Sequence, residues 1–356
     1  MKHTSVIRIL SVLLTFLMLI AVSGCSSDNN DHNYHKPGEW QDSTSAAETE
    51  AETQAPDPKD VTVRVMVLSG TTGFSMAPMI VDREGSELNL QFTVENDASV
   101  IMPALINGTC DIAALPTNAA AVLYNKKPGL VRVMAVNTRG VLYLVTSSDV
   151  TVNSFEDLKG MTVYCPAQNP AYVFSALCSA YGVEPNVDMF IDTTYAQPAE
   201  LRTALVTGKV KCAVLPEPMV TIARAANESL KIALDLNAAW EGASGGEYPL
   251  MQGCVVVRSA FAMQYPELVE QFLAEYEASV NAVIADPAAA GQAIVKAGIF
   301  SDAVVAAAAI PNCNLCFVTG KEMAEGLDSF YRVIGSVAPD AIGGYLPNSF
   351  FYYGVD

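Results

Sequence analysis

Eight cysteines and three histidines are the side chains best suited to nucleophilic, redox or metal chemistry, and their positions limit what this chain can do. The histidines are His3, His32 and His35, so residues 61–356 carry no imidazole. A Ser-His-Asp triad, a Cys-His dyad, histidine-ligated zinc and histidine proton transfer are therefore excluded there. Carboxylate, lysine and thiolate catalysis stay open. With Cys25 set aside, seven cysteines remain: Cys110, Cys165, Cys178, Cys212, Cys254, Cys313 and Cys316. The number is odd, and the spacings fit no small disulfide framework. Cys110, Cys165, Cys212 and Cys254 sit in or beside apolar, strand-like runs, where cysteine behaves as a small hydrophobe. Cys313-Asn-Leu-Cys316 is a CxxC, but zinc would need a second pair that is not evident. Structural thiols, reduced or locally bridged, are the preferred reading, with redox or metal use as the alternative. No metal ion and no cofactor is expected.

Cys25 belongs to a different context. Lys2 and Arg8 precede an apolar run, residues 9–22, that is short for a bilayer span and has the anatomy of an export signal. Val22-Ser23-Gly24-Cys25, followed by Ser26 and Ser27, resembles the lipobox of bacterial lipoproteins, the alternative being an ordinary secretory signal. The resemblance implies cleavage after residue 24, diacylglycerol on the Cys25 sulfur and acylation of the new amino terminus. Burying acyl chains contributes about 0.8 kcal/mol per methylene, and two chains give stable anchoring. The expected location is the extracytoplasmic face of a bacterial cell membrane.

Removing residues 1–24 takes Lys2 and Arg8 with it and moves the net charge from −18 to −20. Such a surface repels nucleic acid and anionic lipid. Residues 26–60 hold nine acids against Lys36 and Lys59 and are rich in Ser, Thr, Ala and Pro. That composition cannot bury enough apolar surface to fold and reads as an extended, self-repelling spacer. Residues 61–356 are long enough for one large domain or two ordinary ones.

These residues alternate strands with helices. Val61, Val63, Val65 and Val67 alternate with Thr62, Arg64 and Met66, as a strand with one buried face does. Further strands are expected at 112–115, 131–136, 141–146, 161–165, near 189, and at 212–215, 232–236 and 254–257. Helices are expected at 102–106, 118–124, 199–206 and 219–226, and in most of the sequence from 258 to 334. Asn169 is expected at a helix N-cap, with Pro170 at the first helical position. Repeated strand–helix alternation predicts open, largely parallel α/β sheets.

Residues 105–116, LINGTCDIAALP, recur as 205–216, LVTGKVKCAVLP, with five identities. Each copy reads as helix end, glycine turn, buried strand, then proline. The preferred reading is two lobes of one architecture.

Four phrases, in this order, carry a family resemblance: MPALINGTCDIAALPTNAAAVLYNK, FEDLKGMTVYCPAQNPAYVF, TALVTGKVKCAVLPEPMV and FLAEYEASVNAVIADPAAAGQAIVKAGI. Together with the lipobox they resemble the nitrate, sulfonate and thiamine-precursor group of ABC-importer solute-binding lipoproteins, over about residues 61–336. The resemblance implies a type II periplasmic-binding-protein fold, two α/β lobes with a ligand cleft and two crossing strands. The crossings would be 141–146 and 254–257, with lobe one at 61–144 plus 252–356 and lobe two at 145–251. It also implies a small-molecule solute and an ABC permease with its ATPase as partners, the chain itself being a monomer. The Gly-x-x-Asp turn is intact at Asp111, whereas the second copy has Lys211. An enzyme on the same fold, of the menaquinone-pathway kind, and a solute sensor for a membrane receptor are the alternatives.

In such sheets ligand sits beyond the carboxyl ends of strands, where helices begin with unpaired N–H groups. The candidate ligand residues are Ser69, Gly70, Thr71, Thr72, Gly73, Phe74, Pro116, Thr117, Asn118, Gln168, Asn169, Tyr172, Glu217 and Gln252. Gly70 and Gly73 permit close backbone approach. The loop lacks P-loop spacing and its lysine, which argues against nucleotide. Tyr172 and Phe74 either sandwich a planar group or lie in the core. Glu217 either faces a cation or amine or serves the helix dipole. Gln252 either touches ligand or pins the hinge, and Arg139 is assigned to the hinge.

Overall fold

The computed structural model describes residues 58–244 and 248–355. The signal, Cys25, Trp40 and most of the acidic spacer lie outside the described residues. Among the described residues no helix is long and apolar enough to cross a membrane.

Eleven strands are present among them: β1 (Thr62–Leu68), β2 (Asn89–Glu95), β3 (Ile112–Pro116), β4 (Val131–Thr138), β5 (Leu142–Thr146), β6 (Thr162–Tyr164), β7 (Phe190–Asp192), β8 (Cys212–Pro216), β9 (Lys231–Asp235), β10 (Gly253–Arg258) and β11 (Leu315–Val318). They form one sheet in the order β11-β4-β10-β3-β1-β2 and another in the order β7-β6-β8-β5-β9. Helices surround both, giving two α/β lobes. The expected alternation in β1 is met, with Val63, Val65 and Val67 buried.

The sheets are less parallel than the alternation suggested. β10 runs antiparallel to β3 and β4, β5 runs antiparallel to β8 and β9, and β11 runs antiparallel to β4. The reason for β5 and β10 is geometric. Each enters its sheet from the other lobe, at the edge where the parallel strands end, and so must run back against them. β5 lies whole in the second sheet, paired with β8 from Leu142↔Pro216 to Thr146↔Cys212. The chain therefore passes between sheets at 139–141 and 250–252, ahead of the expected 144/145 boundary, and the strands read as crossings lie within the sheets.

Local signals acted as expected in several places. The helix expected at 102–106 ends as expected, at Gly108 in the left-handed conformation, but it begins earlier, as Ala98–Asn107, with an unforeseen cap from Asp97, which accepts the Ser99 N–H at 2.8 Å. Helix Met219–Ala226 has the expected bounds. The next helix start is shifted: Gln168, at φ 65°, is the N-cap of helix Asn169–Ala180, so Asn169 and Pro170 are its first two residues.

The sequence echo is a structural one. Gly108 and Gly208 both have φ 73°, and β3 and β8 each lie between a parallel neighbour and the antiparallel incoming strand. The turns differ in the residue that leads into the strand. Asp111 is buried and bonded to the Arg64 guanidinium at 2.7 and 2.8 Å and to Arg258 at 3.4 Å, stapling β1, β3 and β10. Lys211 pairs instead with the exposed Asp149. One apolar cluster reaches across both lobes, taking in Leu115 and Val136 of the first and Phe174 and Val214 of the second.

Candidate functional site

The carboxyl ends of β1, β3, β6 and β8 lead into the four expected loops. β3 and β8 lie next to the incoming strands, and β1 and β6 lie one strand further out. These loops therefore flank the two passages, a pair from each lobe.

In the first loop Ser69 is turned toward the end of β2, its N–H donating to Glu95 O at 2.8 Å and its hydroxyl to Asn96 Oδ1 at 2.9 Å. Gly70, at φ 96°, has open space where a Cβ would stand. Thr71 and Thr72 are half-buried, and Thr72 O accepts from Asn137 Nδ2 at 3.0 Å. Gly73 is required by packing, because a Cβ there would lie 2.2 Å from Leu68 O. Phe74 is wholly buried, edge-on to Phe300 at 6.1 Å, which puts it in the core and removes it from the expected sandwich. Tyr172 is half-buried against the cluster that spans the lobes.

The second loop divides its labour. Pro116 is half-buried and pairs with Gly253. Thr117 is consumed by structure: its hydroxyl donates to Met251 O at 2.8 Å, its N–H to Gln252 O at 3.1 Å, and its carbonyl accepts from Tyr331 Oη at 2.9 Å. Asn118 is 8% exposed, and its amide oxygen has no hydrogen-bond partner. In the third loop Gln168 is exposed, and the buried amide oxygen of Asn169 is likewise without a partner. Buried polar atoms rarely stay unpaired, so each such oxygen needs an explanation.

Glu217 is 2% exposed and caps its own helix. Oε2 accepts the Thr221 N–H at 3.0 Å and Oε1 accepts the Thr221 hydroxyl at 3.1 Å, an arrangement that also suits the helix dipole. Burial raises its carboxyl above the ordinary value, opposed by the bonds from Thr221. Gln252 ties one passage to the other: its Oε1 accepts the Val141 N–H at 2.8 Å and its own N–H donates to Thr138 O at 2.9 Å. Arg139 faces Glu322 at 3.6 Å, with its N–H on Asn314 O at 3.0 Å.

The sequence reading missed the polar contacts around the first passage. Tyr143 donates its hydroxyl to Asn312 O at 2.9 Å, Asn314 Nδ2 donates to Gly140 O at 2.5 Å, and Gly140 N–H donates to Asn237 Oδ1 at 3.1 Å. The available signal was Pro311-Asn312-Cys313-Asn314, a turn composition before a short apolar run.

The family profile described as NMT1/THI5 like matches residues 48–290, more than half of the chain. The chain belongs to that family. No curated protein matches it. Among solved structures, an ABC transporter from Parabacteroides distasonis is 24% identical, with 82% of this chain and 98% of that chain covered and a TM-score of 0.70. The sulphonate-binding protein SsuA of Escherichia coli is 14% identical over 82% of this chain and 93% of its own, with a TM-score of 0.63. The alkanesulfonate-binding SsuA of Xanthomonas axonopodis pv. citri, bound to MOPS, is 12% identical over 83% and 96%, with a TM-score of 0.59. These likenesses show the type II periplasmic-binding-protein fold.

In this NMT1/THI5-like protein the four loops, 69–74, 116–118, 168–172 and 216–218, contain one ionisable carboxylate, Glu217, and no basic side chain. The described cysteines are free. Burial pushes Cys110, Cys178 and Cys212 up to about 12 and the half-buried Cys316 up to about 11, so thiolate is scarce at neutral pH.

Proposed function

We propose that this NMT1/THI5-like protein is the solute-binding component of an ABC importer, capturing a small molecule between its lobes and passing it to a permease driven by an ATPase. Lipid on Cys25 would hold it at the extracytoplasmic face of the membrane, on a spacer long enough for the globule to reach the permease. The observation that carries the reading is the pair of unpartnered amide oxygens on Asn118 and Asn169. Each stands in the first turn of a helix, one in each lobe, where a bound molecule would satisfy it. Gly70, Thr71, Thr72, Gln168 and Tyr172 complete the proposed lining. A binding role is favoured over catalysis because Glu217, the one carboxylate in these loops, is occupied as a cap.

Two orphaned acceptors and one carboxylate also bear on the solute. Within the nitrate, sulfonate and thiamine-precursor class, an uncharged or cationic molecule rich in N–H or O–H donors fits this lining better than a compact oxyanion. Helix N-termini still supply N–H donors for its acceptor atoms.

Native mass spectrometry of freshly purified protein tests the binding role. A small molecule should leave on denaturation and raise the Tm when added back to the emptied protein. A protein that retains nothing and whose Tm no fraction of a metabolite extract raises would sink the reading. The anchor is tested separately: Cys25→Ala should release the protein from membranes or leave the signal uncut. A wild type retained on membranes without attached lipid would refute it.

A further inference from the structure

The first passage is more heavily held than a free hinge requires. Each of its three residues is bonded to a side chain or turn from elsewhere: Arg139 N–H to Asn314 O, Gly140 N–H to Asn237 Oδ1 and its carbonyl to Asn314 Nδ2, and Val141 N–H to Gln252 Oε1. Gly140 has no room for a side chain, since a Cβ would lie 2.5 Å from Asn237 Oδ1. Asn314 adopts φ 44°, a left-handed conformation that asparagine tolerates better than most residues.

The same turn reaches past the passage into the second lobe. Asn312 O accepts the hydroxyl of Tyr143, on β5, at 2.9 Å. Glu217 is fixed to the passage through its N–H on Val141 O at 2.9 Å. Just upstream, helix Ala303–Ala309 of the first lobe touches helix Met219–Ala226 of the second. A rotation of one lobe about 139–141 and 250–252 must therefore break the contacts of Asn312, while those of Asn314 travel with the passage.

We infer that turn 312–314 is a clasp that sets the angle between the lobes: Asn314 fastens it to the first passage, and the Asn312 carbonyl holds the Tyr143 hydroxyl and must release it when the cleft opens. A single hydrogen bond lost from one side of such an equilibrium shifts it by roughly twofold to tenfold.

The inference requires the two-lobe fold but no solute, so its test uses the emptied full chain and is independent of whether a ligand is ever found. Tyr143→Phe removes one donor and keeps the ring. Asn312→Ala alters an exposed side chain, keeps the carbonyl that accepts from Tyr143 and serves as the control. Asn314→Gly keeps the left-handed backbone and loses the bond to Gly140. Small-angle scattering should show a larger radius of gyration for Tyr143→Phe, for Asn314→Gly and most for their combination, with Asn312→Ala at the wild-type value. Amide exchange should quicken at 139–143 and 215–218 and stay at wild-type rates in β1 and β2. Should Tyr143→Phe fail to fold, Asn314→Gly decides the matter with the same two measurements. Wild-type scattering and exchange in Tyr143→Phe and in Asn314→Gly would overturn the clasp.

Discussion

The indole of Trp240 and the ring of Phe330 stand with centroids 5.7 Å apart and planes tilted by 46°. Trp240 belongs to helix Leu236–Ala243, which follows β9 of the second sheet. Phe330 belongs to helix Gly320–Val337, which follows β11 of the first. The contact thus crosses from lobe to lobe, and both rings are buried. In a Trp40→Phe variant Trp240 is the remaining indole, and its emission should respond to any change in the angle between lobes. Solute should change that emission and shrink the radius of gyration along one saturable curve, because contact and closure are one linked equilibrium. A saturated protein with the scattering profile of the empty one would point to a rigid pocket.

Asn118→Ala and Asn169→Ala should separate affinity from stability. If each amide oxygen accepts a donor from solute, each substitution weakens binding by roughly threefold to tenfold, about 0.5–1.5 kcal/mol. The empty protein should lose no stability, because an unsatisfied buried acceptor costs about 1–3 kcal/mol and the substitution removes it. Calorimetry with the co-purified solute and melting of the empty protein check the two halves. Unchanged affinity in both variants would return these oxygens to an unexplained feature of the fold.

Glu217 gives a pH dependence of definite sign. Burial, the largest influence, raises its folded pKa above the unfolded one. Its contribution to stability is then complete below the unfolded value and is lost as pH rises through the folded value. Glu217→Gln lacks that loss. The Tm of the variant minus that of the wild type should grow from the acid end of the carboxylate range toward neutrality, then level off. Melting both proteins across that range is sufficient, and a difference that shrinks with rising pH would contradict the burial argument.

The two turns of the internal echo should differ in mutational cost. Asp111→Asn deprives Arg64 and the half-buried Arg258 of a buried counter-charge, and breaking such a pair costs about 3 kcal/mol. Lys211→Ala removes an exposed pair and should leave the denaturant midpoint where it was. Equal midpoints for the two variants would show that the staple at Asp111 is not what holds β1, β3 and β10 together.

What the sequence disclosed was local grammar. The valine alternation of β1, the glycine turns at Gly108 and Gly208 and the strand ends at Pro116 and Pro216 follow from periodicity and left-handed backbone, which neighbours in sequence determine. The misses depend on distance along the chain. β11 is a four-residue edge strand between a short 3-10 turn and a long helix, too brief for an alternation to show. Phe74 follows a glycine-rich loop, and only the approach of Phe300 assigns it to the core. Thr117 and Gln252, read as ligand candidates, stand where the lobes meet, and their bonds to Met251 and Val141 across the passages join residues far apart in the chain. Nothing near Asn314 announces a partner at Gly140, 174 residues earlier.

The buried thiols distribute a set of chemical probes between the lobes. Cys110, Cys254 and Cys313 are enclosed in the first, and Cys165, Cys178 and Cys212 in the second. An alkylating reagent can reach them only when the surrounding structure comes apart, so the order in which these sulfurs become labelled records which lobe unravels first. Peptide mapping after a timed pulse would read that order from the unaltered chain, with half-buried Cys316, beside the clasp, expected to label ahead of the other six.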